Sequence, residues 1–249
     1  MKKQHLSVVI PAYNEHGNLE RGVLASVWDY LKGQDYSWEV LIVDDGSTDD
    51  TADLAESFAK THNGFRVLKE PHRGKGGTVI AGVLAAKGEI VLFTDMDQAT
   101  PINQIEKLMP KFKQGSDIVI GSRAGREGAP LMRKIMAYGF VFLRTVILRL
   151  PYKDTQCGFK AFKREAAKKI FKRMKIFNEK TRTSGASVTA GFDLEILYIA
   201  RKLKLKVTEV PIEWHHQEGT KVNPIKDSWE GLRDLMRVRI NAFLRKYSL

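Results

Sequence analysis

Two aspartates, Asp95 and Asp97, follow a short apolar run and are separated by Met96. The run 90–93 lies between Gly88 and this polar cluster, a pattern typical of a buried strand in a parallel sheet. Side chains alternate along an extended chain, so both carboxylates should point to the same side just past the strand. Paired carboxylates suit Mg²⁺ or Mn²⁺, which often bridge to phosphates. The alternative is a solvated turn, because so short a motif also occurs by accident.

Two more apolar runs end in polar side chains. Tyr13 and Glu15 follow the first run, and Asp44 and Asp45 follow the second. The carboxyl ends of parallel strands share one edge of a sheet, where ligands bind in open α/β folds. These residues and the aspartate pair are therefore expected to meet at one site.

A glycine-rich loop at residues 74–77 carries Lys75 and opens a predicted helix. Backbone N–H groups at a helix N-terminus, together with a lysine, can bind a diphosphate, although a tight turn explains the glycines equally well. The Walker signature GxxxxGKS/T is absent from the sequence, as is a GxGxxG directly after the first strand. Carboxylates, a metal and a lysine at one edge together indicate a nucleotide-sugar site.

The elements that must position these residues alternate between strand and helix. Predicted strands cover residues 6–10, 38–43, 65–68 and 90–93, and predicted helices begin near Asn18 or Gly17 and cover 51–61 and 79–86. This alternation predicts an α/β fold with a mostly parallel sheet and right-handed crossovers. A last strand at 207–214 contains Pro211 and is predicted at an edge or bend.

Composition is that of one globular domain, with 249 residues, 43% hydrophobic and 28% charged. A single cysteine excludes an intramolecular disulfide framework and fits a reducing compartment. We expect no secretory signal and no transmembrane helix, since the sequence has neither an apolar leader nor an 18-residue uncharged run.

Positive charge is concentrated in the middle of the chain. The net charge is +12, and residues 123–182 hold 17 Lys or Arg against 4 Asp or Glu. Such asymmetry indicates a polyanionic partner, whether nucleic acid, anionic lipid or a phosphorylated substrate, or else a basic face without a partner. Two basic amphipathic segments, at about 131–150 and 228–248, are either membrane-interface helices or core-packing helices.

The chain carries the motifs PAYNE, VDDGSTDDT, RGKGGTVIAG, DMDQATP and IGSR in this order. Their order and spacing resemble those of family 2 glycosyltransferases of the GT-A fold, and the resemblance covers nearly the whole chain. Further along are DTQCGFK, FDLE and a Trp-His pair followed by GTK. This second set resembles the dolichyl-phosphate β-glucosyltransferase branch, with dolichyl-phosphate mannose synthases as close relatives.

The resemblance implies a single GT-A domain over residues 1–249, with a nucleotide-sugar-binding half at 1–122 and an acceptor-binding half at 123–249. It implies that the donor is held by Pro11, Tyr13, Glu15, Asp44, Asp45, Lys75, Asp95, Met96 and Asp97. The implied metal ligands are Asp95, Asp97 and His215. The acceptor phosphate would be bound by Arg123 and Arg133. The residues implied at the catalytic centre are Asp154, Gln156 and Asp193.

The implied reaction is inverting transfer of a hexose, glucose from UDP-glucose by preference, to a polyprenyl or dolichyl phosphate. A phosphate monoester is already ionised near pH 7, so no strong general base is required. Asp154 is open to three roles, as a base, as an acceptor for a sugar hydroxyl or as a structural partner of the basic segment.

One departure separates the chain from the mannose synthases, which typically read Asp-x-Asp-x-Gln. Ala99 stands where they have the glutamine, and Gln98 sits one residue early, on the side opposite the carboxylates. Gln98 is therefore not expected to be a ligand, and water or Thr100 would complete the metal shell. The departure favours the glucosyltransferase branch.

The alternatives are a GDP-mannose-dependent enzyme, transfer to a saccharide hydroxyl, and a non-enzymatic binder of membranes or nucleic acid. Nucleic acid is not expected as a partner, because acidic strand ends would repel a polyanion. The expected location is the cytoplasm, at the surface of a membrane. A loop at 178–191 is expected to be an exposed connection or a cover for the site.

Overall fold

A computed structural model describes residues 5–123, 131–176, 190–215 and 224–247. Seven strands form one sheet, in the order β3-β2-β1-β4-β6-β5-β7. The strands are β1 Leu6–Ala12, β2 Trp38–Asp44, β3 Phe65–Lys69, β4 Ile90–Phe93, β5 Ile118–Arg123, β6 Lys160–Lys163 and β7 Val207–Ile212. The helices are α1 His16–Glu20, α2 Val23–Lys32, α3 Thr51–Thr61, α4 Gly74–Ala85, α5 Ile105–Lys113, α6 Leu131–Leu148, α7 Arg164–Phe171, α8 Ala190–Lys202 and α9 Pro224–Phe243.

The sheet is parallel except at β6, which runs antiparallel between β4 and β5. This confirms the mostly parallel α/β fold. The proline-containing strand β7 lies at the edge beside β5, as its Pro211 predicts. The short strand β6 was not predicted, because two of its four residues are lysines and its period gives no strand signal.

Helices cover both faces of the sheet. One core includes Val9, Val91 and Phe93 with residues from α4, α7 and α8, and the other includes Val8 and Ile10 with residues from α2, α3 and α5. Adjacent residues of β1 and β4 enter opposite cores, as the alternation of strand side chains requires. The sheet is thereby buried on both sides and holds the loops at its carboxyl edge in place.

The helix predicted after β1 is in fact two helices, which corrects the sequence prediction. Gly22 adopts a left-handed conformation (φ 75°) between α1 and α2 and breaks the run of helical dihedrals. Apolar spacing continues across the break, so periodicity alone could not reveal it.

Two amphipathic helices were predicted at about 131–150 and 228–248, and the structure has α6 and α9 there, packed against each other. Within the described ranges, no helix combines the length and apolar character needed to cross a bilayer. The predicted loop at 178–191 falls almost wholly outside the described residues.

Candidate functional site

The polar strand ends meet at the carboxyl edge of the sheet. Ala12 pairs with Asp44 at the end of β1 and β2, and the Asp45 N–H donates to the Ala12 carbonyl at 2.8 Å. On the other side of β1, the Thr94 N–H donates to the Val9 carbonyl at 3.0 Å, which fixes the loop that carries Asp95. Three loops of the predicted site therefore start side by side.

The two acidic residues after β2 have different partners. The carboxylate of Asp45 accepts a hydrogen bond from the Arg73 N–H at 2.7 Å and lies 2.9 Å from His72 Nδ1, so it anchors the loop before α4. Among the described residues, the hydrogen bonds that Asp44 accepts come from the Ser47 N–H and are longer, at 3.3 and 3.4 Å. Both side chains are buried.

His72 is a site residue that sequence reasoning missed. Its ring stacks on that of Tyr13, with centroids 4.2 Å apart and planes 15° apart. The only signal in the sequence was its position at the start of the glycine-rich loop, and stacking across 59 positions leaves no local pattern. The pair forms a flat aromatic element beside the acidic strand ends.

Glu15 is half-buried and lies near the charges of the aspartate pair. The Glu15 N–H donates to Thr51 Oγ1 at 2.7 Å, and its carboxylate accepts a hydrogen bond from Asn18. Burial raises the pKa of Glu15, the Asn18 bond opposes this, and the charges of Asp97 and Asp95 raise it further. Pro11, also predicted at the site, is buried inside β1.

The aspartate loop is anchored by Met96. This residue lies between Asp95 and Asp97 in the sequence, and its side chain is buried in the hydrophobic core. Asp97 accepts a hydrogen bond from the Ala99 N–H at 3.0 Å, and its pKa is raised by burial and by Asp95. Gln98 takes a left-handed conformation (φ 49°), and its side-chain amide donates to the Asp95 carbonyl at 2.9 Å. The Gln98 amide nitrogen thus binds the backbone of the aspartate loop, and the expectation that Gln98 is not a ligand stays a prediction.

Lys75, in the first turn of α4, forms an ion pair with Asp95. Burial would lower the pKa of Lys75, but Asp95, and then Asp193 and Asp97, raise it above its ordinary value. The carboxylates of this region also include Glu15, while Lys75 and Lys160 are the cations that contact them. Carboxylates are therefore in excess, which fits a divalent cation that takes hard oxygen ligands.

His215 is held beside the aspartate loop, because its N–H donates to the Ala99 carbonyl at 2.7 Å. The residue is exposed. Among the residues that the structure describes, no three His, Cys, Asp or Glu side chains are grouped to hold a metal ion. Asp95 and Asp97 are oxygen donors of the kind that Mg²⁺ or Mn²⁺ takes, and His215 stays a prediction as the third ligand.

Asp154 binds Arg123 through both carboxylate oxygens. Arg123 Nε donates to Oδ2 at 2.6 Å and a terminal guanidinium nitrogen donates to Oδ1 at 3.0 Å, and the Arg123 N–H also reaches Oδ2 at 3.2 Å. The Gln156 N–H adds a bond to Oδ1 at 3.1 Å. Burial raises the pKa of Asp154, but the guanidinium outweighs it and holds the pKa below its usual value.

The loop that carries Asp154 is held by hydrogen bonds to Glu209, a residue of β7. Glu209 accepts hydrogen bonds from the Lys153 and Asp154 N–H groups at 2.9 and 2.7 Å. The Arg123 guanidinium also lies 5.8 Å from the Trp214 ring centroid, a distance typical of a cation–π contact. Arg123 is thus oriented by a carboxylate and a ring.

The remaining predicted residues take separate positions. Gln156 is exposed two residues after Asp154, and Asp193 lies in the first turn of α8, where it pairs with Lys160 at 2.7 Å. Arg133 lies in α6, and its side chain is outside the described part of the structure. The structure brings Asp95, Asp97, Lys75 and Asp193 together, and places Arg123 with Asp154.

Known proteins share this sequence pattern. A sequence model described as Glycosyl transferase family 2 matches residues 7–171. A dolichyl-phosphate beta-glucosyltransferase of Dictyostelium discoideum is 36% identical over 259 residues, covering 96% of this chain and 75% of that protein. The Saccharomyces cerevisiae protein of the same name is also 36% identical, covering 97% and 76%.

Solved structures share the fold. Glucosyl-3-phosphoglycerate synthase of Mycobacterium tuberculosis, solved with UDP, superimposes with a TM-score of 0.65 at 21% identity, covering 95% of this chain and 80% of that one. Mannosyl-3-phosphoglycerate synthase of Rubrobacter xylanophilus gives 0.63 at 18% identity, covering 97% and 75%. The resemblance found in the motifs, and the fold class, are confirmed.

Proposed function

This chain belongs to glycosyl transferase family 2, and we propose that it transfers glucose from UDP-glucose to a polyprenyl or dolichyl phosphate with inversion. The relatives' names support the substrates. One structural observation carries the choice of a phosphate acceptor, namely the ion pair of Asp154 with Arg123. A carboxylate that accepts four hydrogen bonds and has a lowered pKa is a poor base, so Asp154 does not suit the deprotonation that a hydroxyl acceptor would need.

The donor half would bind the nucleotide at the carboxyl edge of the sheet. Tyr13 offers a ring beside the acidic loops, and Asp44, whose contacts are the longer ones, is proposed to accept from the nucleoside. Lys75, at the start of α4, would face the diphosphate together with the helix N-terminus. Asp95 and Asp97 would hold Mg²⁺ or Mn²⁺, which offsets the negative charge that builds on the leaving diphosphate.

The acceptor half would bind and orient the nucleophile. A phosphate monoester has a second pKa of about 6 and is largely dianionic at neutral pH, so its oxygen attacks without losing a proton to the protein. Arg123 is held with its guanidinium fixed by Asp154, and Arg133 is proposed as the second cation. Catalysis would then depend on orientation and charge neutralisation.

The helices α6 and α9 are proposed to rest on the membrane that contains the lipid acceptor. Tyr138, Phe142 and Val146 recur every fourth residue of α6 and are 74%, 67% and 61% exposed, so one apolar face lacks cover. On α9, Ile240 and Phe243 are exposed as well. Exposed cations of the same region, Arg233, Arg237, Arg239, Arg245 and Lys246, suit anionic lipid head groups. The single cysteine fits the reducing, cytoplasmic side.

Transfer assays test the proposed reaction. Purified protein is given UDP-glucose or GDP-mannose with polyprenyl phosphate or polyprenol, with Mn²⁺ or with EDTA. Of the four combinations of donor and acceptor, we expect only UDP-glucose with polyprenyl phosphate to give product, and only when Mn²⁺ is present. Transfer to polyprenol would contradict the role given to Asp154, and a preference for GDP-mannose would favour the mannosyltransferase alternative.

Flotation with liposomes tests the membrane surface. The wild-type protein should float with vesicles that contain anionic lipid, and Phe142→Asp combined with Phe243→Asp should abolish flotation because two exposed apolar contacts become charged. Lys113→Asp, a charge change on α5, serves as the control and should leave flotation unchanged. Wild-type protein that stays unbound at low salt would refute this part of the proposal.

A further inference from the structure

Arg144 of α6 is buried, with 2% of its surface exposed. An arginine is rarely buried to this extent unless its guanidinium is hydrogen-bonded. One terminal nitrogen donates to Thr155 Oγ1 at 2.6 Å, and the other donates to the Tyr152 carbonyl. Both acceptors belong to the loop that follows α6 and carries Asp154. Because Arg144 is buried, it does not touch a substrate and acts only through this loop.

Two elements hold the loop around Asp154. From β7, Glu209 accepts hydrogen bonds from the Lys153 and Asp154 N–H groups, at 2.9 and 2.7 Å. From α6, Arg144 binds on either side of these two residues, at both ends of the segment 152–155. Four consecutive residues are thereby attached to a helix and to a strand. These bonds fix the direction in which the Asp154 side chain leaves the backbone.

The exposed face of α6 is the one opposite Arg144. Tyr138, Phe142 and Val146 are exposed and recur every fourth residue. Arg144 is two residues from Phe142 and from Val146, which places it about 200° away from them around the helix axis. One face of α6 is therefore proposed to rest on the membrane, while the other face holds the loop of Asp154. Arg144 connects the surface from which a lipid phosphate would arrive with the site that would bind it.

We propose that Arg144 is a positioning residue for the acceptor, which holds the loop against α6 so that Asp154 keeps Arg123 aligned for the acceptor phosphate. The inference rests on the proposed function in giving Arg123 that phosphate. Without the guanidinium of Arg144, the loop loses two bonds to α6 while it keeps its bonds to β7. The Asp154 carboxylate then shifts, and Arg123 loses its alignment. The residues proposed for the donor lie in other segments of the chain, so nucleotide binding should not change.

The Nε–H group of Arg123 reports on this alignment without any substrate. It donates to Asp154 Oδ2 at 2.6 Å, and its proton exchanges slowly with water as long as that bond persists. NMR spectra of isotope-labelled protein identify the signal by its loss in Arg123→Lys. We expect the exchange rate to rise about tenfold in Arg144→Met, which removes both donors, because the bond opens more often. Arg149→Met, which removes an exposed cation just beyond α6, should leave the rate unchanged.

A matched pair of variants at Thr155 separates the hydrogen bond from packing. Thr155→Val keeps the shape of the buried side chain but removes the oxygen that accepts from Arg144, so exchange at Arg123 should accelerate. Thr155→Ser loses a methyl group but keeps the oxygen, and should exchange like wild type. This pair decides the matter if Arg144→Met does not fold. Equal exchange rates in the two Thr155 variants, or a wild-type rate in Arg144→Met, would overturn the proposal.

Kinetics connect the contact to the reaction. In Arg144→Met, kcat/KM for polyprenyl phosphate should fall about tenfold, because Arg123 is aligned for a smaller part of the time. The affinity for UDP with Mn²⁺, measured by calorimetry, should stay within about twofold of wild type, since the donor site is left intact. If the wild type prefers guanine nucleotides, GDP replaces UDP. A parallel fall in both quantities, or faster exchange with unchanged acceptor kinetics, would contradict a positioning role.

The two proposals fail in different ways. Wild-type protein that does not glucosylate polyprenyl phosphate would refute the proposed reaction, while proton exchange at Arg123 still reports on Arg144. Conversely, normal transfer by the wild type together with unchanged exchange in the variants would refute the role of Arg144 alone.

Discussion

Asp154→Asn tests the central step of the proposed chemistry. The substitution keeps one oxygen for Arg123 but replaces the other with an NH₂ group, which faces a guanidinium N–H and cannot accept from it. One of two charge-assisted bonds, at 2.6 and 3.0 Å, is therefore lost and the other is weakened. Hydrogen bonds to charged groups contribute about 1.5–3 kcal/mol each.

The kinetic consequence follows from that energy. If Arg123 must be oriented to bind the acceptor phosphate, about 2–3 kcal/mol converts to a roughly 30- to 150-fold fall in kcat/KM for the acceptor. The KM for UDP-glucose should not change, because within the described part of the chain no residue proposed for the donor forms a hydrogen bond or ion pair with Asp154. Arg123→Lys should give a similar loss, and the double variant should be little worse than either single variant, since both remove the same interaction.

The pH profile distinguishes orientation from general-base catalysis. An orienting Asp154 stays ionised throughout, so the acid limb of the transfer rate reflects the acceptor phosphate, near its second pKa of about 6, in wild type and variant alike. If Asp154 were a general base, the transfer rate would fall in acid as Asp154 itself became protonated, and Asp154→Asn would remove that part of the pH dependence. Loss of that limb, or unchanged acceptor kinetics in the variant, would refute the reasoning.

Three other expectations follow from the same contacts. The folded protein depresses the pKa of Asp154, so the ionised carboxylate stabilises the folded state. This stabilisation is complete above the ordinary carboxyl pKa of about 3.9 and disappears as the pH falls through the pKa in the folded state. The free energies of unfolding of wild type and Asp154→Asn, measured with denaturant, should therefore converge in acid. In Gly158→Ala the new Cβ would clash with Asp95 Oδ2, so calorimetry should show weaker binding of UDP with Mn²⁺. Gly139→Ala, with open space around the new Cβ, should bind normally. Tyr247→Phe removes the 2.9 Å hydrogen bond that the Tyr247 hydroxyl donates to the buried carboxylate of Glu195. The loss should lower the free energy of unfolding by about 2 kcal/mol and Tm by roughly 4–8 °C in a chain of this size.

The carboxyl edge of the sheet was accessible from the sequence because its signals are local. Apolar runs mark β1, β2 and β4, and the polar residues that follow them must share an edge once the strands are parallel. The same reasoning predicts that Asp95 and Asp97 point to one side and that Gln98 points to the other. Each of these inferences needs only the chain direction and the alternation of side chains.

The partners of those residues were not accessible, because they are set by contacts between distant segments. Arg123 and Asp154 are 31 residues apart, and Lys160 and Asp193 are 33 apart. The sequence therefore leaves the role of Asp154 open among three alternatives, and its contact with the Arg123 guanidinium is the observation that supports the orienting role proposed above. Buried lysines break the hydrophobic pattern by which strands are recognised, which is also why β6 escaped prediction.

Because β6 lies between β4 and β5, the segment from Asp154 to Lys160 runs between the Asp95 loop and the strand that contains Arg123. Gly158 packs against the Asp95 carboxylate, where any Cβ would displace a proposed metal ligand. The Phe159 carbonyl accepts from the Gly121 N–H at 2.9 Å, which ties the segment to the strand that leads to Arg123. A stretch of seven residues thus contacts Asp95, which is proposed for the donor, at one position and Arg123, which is proposed for the acceptor, at another. If the transfer requires a fixed distance and orientation between the donor and acceptor phosphates, this segment sets them. A substitution in it would then disturb the contact with Asp95 or the contact with Arg123.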